Sequence, residues 1–476
     1  MQRQLRAEAA ELRERMPPVL SDRSFLLLWL AQIIAQTAQN AILYALIVVV
    51  LDLTGRTTST SLVVLFFVVP TVLFGIFSGV LVDRWSKRRL LILTNAGRAL
   101  ASVAYFFGRE HVWALYTITI FFSSFSQLFT TSNAASIPFM VPRKQLISAN
   151  SLFSGGFTIA QISGLIILSP IILKTAGPGA LFITAGVAFV IATTLTRFLP
   201  YIGHEGEDDE QHSTFPGPDE LRGAVSDFTH ALGSLRADTQ STLAVAHITM
   251  SSTLILLFAV LVPRYMQSIL EVQAEDAVAV FAPVAFGALI GLRLVPLAVG
   301  RFGKNGTAAL ALFGLAVCIS AMGLVELIAS GLERTETFNP FADDTTDRIF
   351  GLSILVALTT AISGPLGLAY AMLNTPAQTT LHERTPIEMR GRVIASQMVM
   401  ANGVALIPLV VVGGIADLYG VSSVILAIGV LCALAGGITI YLDRRWIKHD
   451  DAQLAAGTEA DGAKRHGAVS GSIDTT

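Results

Sequence analysis

The sequence predicts an all-α membrane protein with twelve transmembrane helices, and three observations carry this prediction. Hydrophobic residues make up 53% of the 476 residues, charged residues make up only 14%, and the mean hydropathy is +0.64. Long apolar runs recur along the chain, and roughly twenty apolar residues are enough for a helix to cross a bilayer. Short polar segments separate the runs, as expected when each segment in lipid must satisfy its own backbone hydrogen bonds.

The first run follows a charged, helix-prone segment, QLRAEAAELRERM, within residues 1–23. The run is longer than the core of a signal peptide, so we expect an uncleaved signal anchor. The second and third runs flank GVLVDRWSKRRLL at 79–91, which must be a tight loop between antiparallel helices. The predicted spans are 24–51, 60–82, 90–108, 112–137, 146–173, 178–198, 241–263, 277–299, 306–328, 349–376, 393–416 and 420–442.

The longest polar insertion, residues 200–240, divides the spans into six plus six and opens with HEGEDDEQH. We therefore predict two helical units, 24–199 and 241–445, joined by a cytoplasmic linker. The tail 446–476 has few large apolar residues and is predicted to be disordered. The halves also echo each other, because IPFMVPRKQLISANS and TLHERTPIEMRGRVIASQ are both basic, Pro-containing loops that lead into the fifth and the eleventh span.

The distribution of basic residues predicts the orientation. Segments on the side of the termini hold 24 of the 32 Lys and Arg residues, and the opposite loops hold six. Cytoplasmic loops carry the excess of Lys and Arg, so both termini are expected in the cytoplasm of a bacterium, with the chain in its inner membrane. The basic residues are scattered over loops, which argues against nucleic-acid binding.

At 79–91 the chain resembles the major facilitator superfamily, whose signature is Gly, three residues, Asp-Arg and then a basic cluster. Ser86 stands where the family commonly has Gly. TPIEMRGRVIASQ, with the later PLVVVGGIADLYG, is similar to the branch that contains the enterobactin and macrolide exporters. The resemblance extends over about residues 20–445 and implies two pseudo-symmetric six-helix bundles around a cavity that opens alternately to each side.

The signature supplies candidates for a conformational latch. Asp83, at the end of span two, can accept hydrogen bonds from a helix N-terminus or pair with an Arg. The candidate latch residues are Gly79, Asp83, Arg84 and Arg88. For Arg88, as for Arg89, a simple positively charged topology anchor is the favoured alternative.

Polar residues near the bilayer midplane are candidates for lining a substrate cavity, because such residues are costly in lipid. Several lie on one helical face of span one or span four, and others lie in spans seven and ten, where SGPLG suggests a bent or partly unwound helix. Hydrogen bonds between helices are the alternative explanation. The candidates are Gln32, Gln36, Gln39, Asn40, Tyr44, Ser123, Gln127, Ser251, Thr360, Tyr370 and Asn374.

Three residues inside the spans are candidates for a coupling or structural charge. Arg98 could bind an anionic group, although a structural role with its side chain reaching the inner interface is favoured. His247 and Glu326 could carry a coupling proton, but each is more often a satisfied polar or interfacial residue. Proton coupling is therefore implied by the resemblance and by no specific residue.

The sequence contains no phosphate-binding loop of the Walker type, no nucleophile elbow and no His/Cys metal spacing, so we expect no enzyme and no cofactor. Cys318 and Cys432 lie in apolar runs. The predicted function is secondary active export of a small neutral or amphipathic molecule by a monomer. Import or lipid flipping by the same fold, and a non-transporting sensor or scaffold, remain the alternatives.

Overall fold

The computed structural model describes residues 19–142, 145–200, 239–328, 348–349, 352–384 and 390–470, together with isolated residues of the linker. In the described residues the only sheet is an antiparallel pair of two-residue strands, β1 (Arg348–Ile349) and β2 (Leu352–Ser353). Everything else of regular structure is helical. The predicted all-α membrane fold is confirmed.

The first half begins with four separate helices, α1 (Arg23–Thr54), α2 (Thr57–Arg84), α3 (Lys87–Gly108) and α4 (Val112–Met140). Helix α5 starts with Leu146–Ile162, continues through a π-helical turn at Ser163–Leu168 and enters the run Ser169–Arg197. Gly177, with φ 77° and ψ 175°, ends α5, and α6 is the remainder of that run. A residue with a Cβ is strained at such a φ, so glycine permits the sharp turn.

The second half repeats this plan. Gly303, with φ 72° and ψ 175°, divides the run Ala277–Gly323 into α8 and α9. The other helices are α7 (Thr239–Ser268), α10 (Ile354–Arg384), α11 (Arg390–Tyr419) and α12 (Val421–Ser470). Ten helices of the described chain are long and apolar enough to cross a membrane, and two of them, of 50 and 45 residues, each contain one of these glycine turns. The structure therefore provides twelve spans, as predicted.

Two boundaries differ from the sequence prediction. Helix α10 begins at Ile354 rather than at 349, because Ile349 pairs with Leu352 in the strand pair. Helix α12 continues to Ser470, whereas a disordered tail is predicted from residue 446. Ala-rich stretches such as AQLAAG favour a helix even where few apolar side chains are available for packing.

The ends of the helices define two faces of the molecule. The terminal face contains the α2–α3 turn at Trp85, the end of α6 at Arg197 and the α8–α9 turn at Gly303. The far face contains the turns at Gly55 and Gly420. Within the halves, α1 packs against α5 and α6, α2 packs against α4, and α8 and α9 pack against α10 and α12, while α2 packs against α11 across the halves.

The outer surface of the helices is apolar. Leu100, Phe107, Val317 and Ile407 are each at least 70% exposed, and many other large apolar side chains lie between them. Such a surface is unfavourable in water and suited to lipid. With membrane-length helices throughout, the chain is a multi-pass membrane protein.

Candidate functional site

The predicted polar stripe of α1 is buried against α5. Gln32, 2% exposed, donates from Nε2 to the carbonyl oxygen of Phe153 over 3.2 Å, and its Oε1 has no hydrogen-bond partner among the described residues. Asn40 donates to the carbonyl oxygen of Gln36 over 2.8 Å, and both side chains are buried. In this conformation the stripe is a contact between helices, and its role as a cavity lining remains a prediction.

The π-helical turn of α5 brings that helix against α1. A Cβ at Gly164 would lie 2.3 Å from the carbonyl oxygen of Thr37 and 2.9 Å from Cβ of Asn40, so only glycine fits. A few residues later, Ser169 donates to the carbonyl oxygen of Ala41 over 3.0 Å. Because a π turn shifts the register of a helix, it allows both close contacts to form on one face of α5.

Arg98 is fully buried inside the first half. Its Nη1 donates to Oε1 of Gln39 over 3.2 Å, and its Nη2 donates to Oδ1 of Asn95. The guanidinium carbon lies 4.0 Å from the ring centroid of Phe129 and 4.7 Å from that of Phe189. The side chain therefore does not reach the membrane interface, which corrects that expectation.

The candidates on α4 bond to α2 or to their own helix. Ser123, fully buried, donates to the carbonyl oxygen of Phe67 on α2. Gln127 is half-buried and donates to Oγ1 of Thr131 over 3.4 Å. Its Nε2 would lie 3.6 Å from a Cβ at Gly75, so Gln127 faces α2 near its contact with α11.

In the second half, two of the candidate hydroxyl groups are satisfied within their own helices. Ser251 donates to the carbonyl oxygen of His247 over 2.9 Å, and Thr360 donates to that of Val356 over 2.7 Å. Such hydroxyls need no ligand. Tyr370 and Asn374 lie one turn apart on α10 and are half-buried.

The SGPLG segment is a packing site rather than an unwound one. Helix α10 continues through it without interruption. A Cβ at Gly367 would lie 2.0 Å from the carbonyl oxygen of Val284, and a Cβ at Gly287 would lie 1.8 Å from that of Gly364. Glycines on both helices thus allow the backbones of α8 and α10 to touch, as small residues do in membrane bundles.

The two proton-carrier candidates lie apart. His247 is 4% exposed, and its Nε2 lies 3.0 Å from Oγ1 of Thr439 on α12. Glu326 is exposed and lies three residues beyond Gly323, the last residue of α9. The described structure brings neither next to Arg98 or the polar stripe of α1.

At the far face, one carboxylate of the second half caps a helix of the first half. Asp417, near the end of α11, accepts hydrogen bonds from the backbone N–H groups of Thr57 and Thr58 over 2.8 and 2.9 Å. It also accepts from Oγ1 of Thr58 over 2.6 Å. Arg56, the N-cap residue of α2, provides no side-chain cap of its own. Asp417 therefore satisfies the free N–H groups of α2 and complements the positive end of its dipole.

Further polar contacts join the halves at the same face. Tyr44 donates to the carbonyl oxygen of Ala274 over 2.7 Å, and Gln267 donates to Oδ1 of Asp52 over 3.0 Å. Lys174 pairs with Asp276. These contacts and the Asp417 cap lie at the same face, so the halves are held together at the far face.

The packing of α2 against α11 continues inward from that cap. A Cβ at Gly413 would lie 2.3 Å from Oγ of Ser61, and a Cβ at Gly75 would lie 2.7 Å from Cγ2 of Val399. One turn further towards the terminal face, a Cβ at Gly79 would meet nothing within 4 Å among the described atoms. The close contact thus reaches Gly75, and the candidate latch residue Gly79 lies beyond it.

At the terminal face, the contacts of Lys87 and Arg88 stay within the first half. Arg88 donates from Nη2 to the carbonyl oxygen of Arg197, at the end of α6, over 2.5 Å, and Lys87 lies 5.1 Å from the ring centroid of Phe139. An Arg at a helix C-terminus complements the dipole, which fits the anchor reading of Arg88. Arg84 also has an interaction partner, while the side chain of Asp83 lies outside the described residues.

The second half repeats this arrangement with other chemistry. Lys304, the first residue after the turn at Gly303, pairs with Glu383 at the end of α10. Asn305 donates to Oδ1 of Asp443 on α12 over 2.7 Å. Lys304 and Asn305 therefore occupy the places of Lys87 and Arg88, which is direct structural support for the internal repeat.

Two groups of residues escaped the sequence reasoning. Asp417 lies in IADLYG, where an acid three residues before the glycine turn between the last two spans was a usable signal. Phe129 and Phe189 belong to apolar runs rich in Phe, and nothing in their spacing indicates that they enclose an Arg.

Comparisons with known proteins agree with this architecture. Residues 28–334, well over half of the chain, match the family model of the Major Facilitator Superfamily. MFS-type transporter YfiS of Bacillus subtilis is 28% identical over 140 residues, which are 29% of this chain and 33% of YfiS. MFS-type transporter Rv0037c of Mycobacterium tuberculosis is 26% identical over 275 residues, 54% of this chain and 60% of that protein. The matched stretches thus span between one third and three fifths of these relatives.

One solved structure illustrates the likeness in fold. The crystal structure of a POT family transporter in complex with 5-aminolevulinic acid superposes with a TM-score of 0.66. The match covers 89% of this chain and 96% of that one at 9% sequence identity. At this identity the likeness concerns the fold alone.

Proposed function

We propose that this chain, which belongs to the Major Facilitator Superfamily, is a secondary transporter that exports a small neutral or amphipathic molecule by alternating access. The observation that carries the alternating-access step is the cap that Asp417 of the second half places on α2 of the first. Such a contact lies between the halves, so it can break while the hydrogen bonds inside each half stay intact, and it suits a joint that opens and closes.

The far face is extracellular in this proposal, because the loops of the terminal face hold most of the Lys and Arg residues. The conformation described here then has its extracellular side closed. Asp83 lies at the end of α2 at the terminal face, and Asp417 lies near the end of α11 at the far face. We propose that Asp83 caps α11 in the alternative conformation, so that each acid stabilises one of the two states.

Export of a neutral or amphipathic substrate is supported by the similarity of TPIEMRGRVIASQ to the exporter branch and by the kind of polar residues at mid-depth. Amides, hydroxyls and aromatic rings predominate there, as in sites for largely apolar ligands. A coupling proton remains part of the proposal without an assigned carrier. The candidate cavity residues are those on α1, α4 and α10 that this conformation leaves half-buried, namely Gln39, Gln127, Thr360, Tyr370 and Asn374.

Transport by the purified protein in liposomes tests the proposal. Movement of amphipathic dyes and macrolide-like drugs is followed with a proton gradient of either sign and without one. We expect gradient-driven movement that Gln127→Ala and Asp83→Asn reduce at least tenfold. The matched control is Thr184→Ala, since Thr184 is exposed to lipid and donates only to the carbonyl oxygen of Ala180 in its own helix.

Three outcomes separate the alternatives. Movement in the opposite direction under the same gradient would indicate an importer. Movement of labelled phospholipid instead of drugs would indicate a flippase. Absence of movement for every compound, with a correctly folded protein, would contradict transport and favour the sensor or scaffold.

A further inference from the structure

We propose that Arg98 is the centre of an anion-binding site in the first half, which holds a carboxylate or a small inorganic anion where the Gln39 amide now lies. The identification of the anion as the carboxylate end of an amphipathic substrate rests on the proposed function. Anion binding itself depends only on the surroundings of Arg98.

Among the residues that the structure describes, the charge of Arg98 has no counter-charge within reach. The side chain is 0% exposed, and its acceptors in the described structure are the neutral amides of Gln39 and Asn95. Between residues 24 and 199 the sequence has only three acids, Asp52, Asp83 and Glu110. All three lie at helix ends, whereas Arg98 lies about 16 Å along α3 from its first residue. A buried cation without a partner is costly, so an anion that reaches it is strongly stabilised.

The guanidinium group is already oriented for such a partner. The rings of Phe129 and Phe189 lie near the guanidinium carbon and restrict its movement. Two buried donors remain unused, Nε of Arg98 and Nδ2 of Asn95. An anion offers acceptors only, and a guanidinium binds a carboxylate through two parallel hydrogen bonds. Unused donors beside a fixed guanidinium therefore fit an anionic group.

The second half shows that the fold does not require a polar centre here. Counted from Lys87 and from Lys304, the residues that begin α3 and α9, the positions of Asn95 and Arg98 correspond to Leu312 and Leu315. Leu312 and Leu315 are 0% and 2% exposed, so the same layer of the second bundle is packed with apolar side chains. The polar centre is thus specific to the first half, as expected for a binding site.

Gln39 provides the route to the site. It lies on α1, the helix whose Tyr44 also contacts the second half, and it is only half-buried. Its Oε1 accepts from Nη1 of Arg98 at 3.2 Å, at the upper end of normal hydrogen-bond lengths. Rotation of the Gln39 side chain away from Arg98 would leave an acceptor-sized gap at Nη1, which a carboxylate oxygen or a halide can enter.

Thermal unfolding of the purified protein in detergent tests the site without any transport assay. The melting temperature is measured against sodium chloride and against sodium benzoate, at an ionic strength held constant with the sodium salt of a bulky sulfonate buffer, so that the background salt carries neither a carboxylate nor a halide. We expect a saturable rise of several degrees, because a ligand that binds only the folded state raises its stability. A response to benzoate alone identifies a carboxylate ligand, and a response to chloride alone identifies an inorganic one. Arg98→Gln should abolish the response.

Two substitutions of Gln39 keep the test decisive even if Arg98→Gln does not fold. Gln39→Glu places a carboxylate beside Arg98, so it should raise the melting temperature without added anion and abolish the response to anions. Gln39→Leu removes the hydrogen bond without adding a charge and should keep that response. The proposal is overturned if neither anion raises the melting temperature of the wild type, or if Gln39→Glu responds as the wild type does.

Discussion

The cap that Asp417 places on α2 predicts how strongly one side chain controls the far face. Its carboxylate accepts two backbone N–H groups and one hydroxyl of the other half, but it lies at an exposed position. Replacing an N-cap acid by Ala costs about 1 kcal/mol in such surroundings, since solvent weakens the charge–dipole part. A free energy of this size changes an equilibrium about fivefold. Asp417→Ala should therefore increase the population with an open far face about fivefold.

Asp417→Asn gives a graded second point. An amide keeps one acceptor oxygen, but it loses the charge and one of the two oxygens that accept hydrogen bonds here. The cost should therefore lie between that of the charge–dipole part, about 0.5 kcal/mol, and that of the whole cap, about 1 kcal/mol. The expected increase lies between about twofold and about fivefold. Glu110→Ala is the matched control, because Glu110 is an exposed acid at the same face that pairs with Arg109 of its own half. No change is expected there.

The open population is measured by the rate at which a membrane-impermeant maleimide labels Ser61→Cys. Ser61 is 3% exposed under Gly413, so α11 must withdraw before the reagent reaches residue 61. Cys318 and Cys432 are replaced by Ala so that only the introduced thiol reacts. Equal labelling rates in the wild type, Asp417→Asn and Asp417→Ala would refute the reasoning. So would an equal increase in Glu110→Ala.

Three further results are expected. Gly413→Ala should also raise the labelling rate at Ser61→Cys, because a Cβ at residue 413 would lie 2.3 Å from Oγ of Ser61 in the wild type. Gly414→Ala is the control and should leave the rate unchanged, because a Cβ there would meet nothing within 4 Å. Each labelling rate is divided by the rate for the same variant after unfolding. Gly367→Ala should lower the melting temperature by several degrees, because its Cβ would lie 2.0 Å from the carbonyl oxygen of Val284 and overpacking costs roughly 1–3 kcal/mol. Gly437→Ala is the control and should leave the melting temperature unchanged, because a Cβ there would meet nothing within 4 Å. Lys174→Gln should change the labelling rate at Ser61→Cys less than Asp417→Ala does. The side chains of Lys174 and Asp276 are 56% and 31% exposed, and a surface ion pair contributes under about 1 kcal/mol. An effect as large as that of Asp417→Ala would contradict this ranking.

The sequence by itself determined the membrane class, the twelve spans and the turns between them. These features depend on the local density of apolar residues, which can be read without knowing any tertiary contact. The turn glycines Gly177 and Gly303, found in the structure, lie in the gaps between the predicted spans. The boundary of α10 was missed because Ile349 is apolar enough for a span, and its pairing with Leu352 depends on the chain's return two residues later.

Only the tertiary structure decided what the polar residues contact. Spacing along α1 places Gln32, Gln36 and Asn40 on one face, but their burial against α5 depends on the π-helical turn and on Gly164. The sequence likewise shows that Arg98 is deep in the membrane, yet not that Phe129 and Phe189 lie beside it. Asp417 and Thr57 are separated by hundreds of residues, and their contact exists only because two helical units meet at one face. Side-chain periodicity assigns a residue to a face of its own helix, whereas the neighbour of that face is set by the packing of the whole bundle.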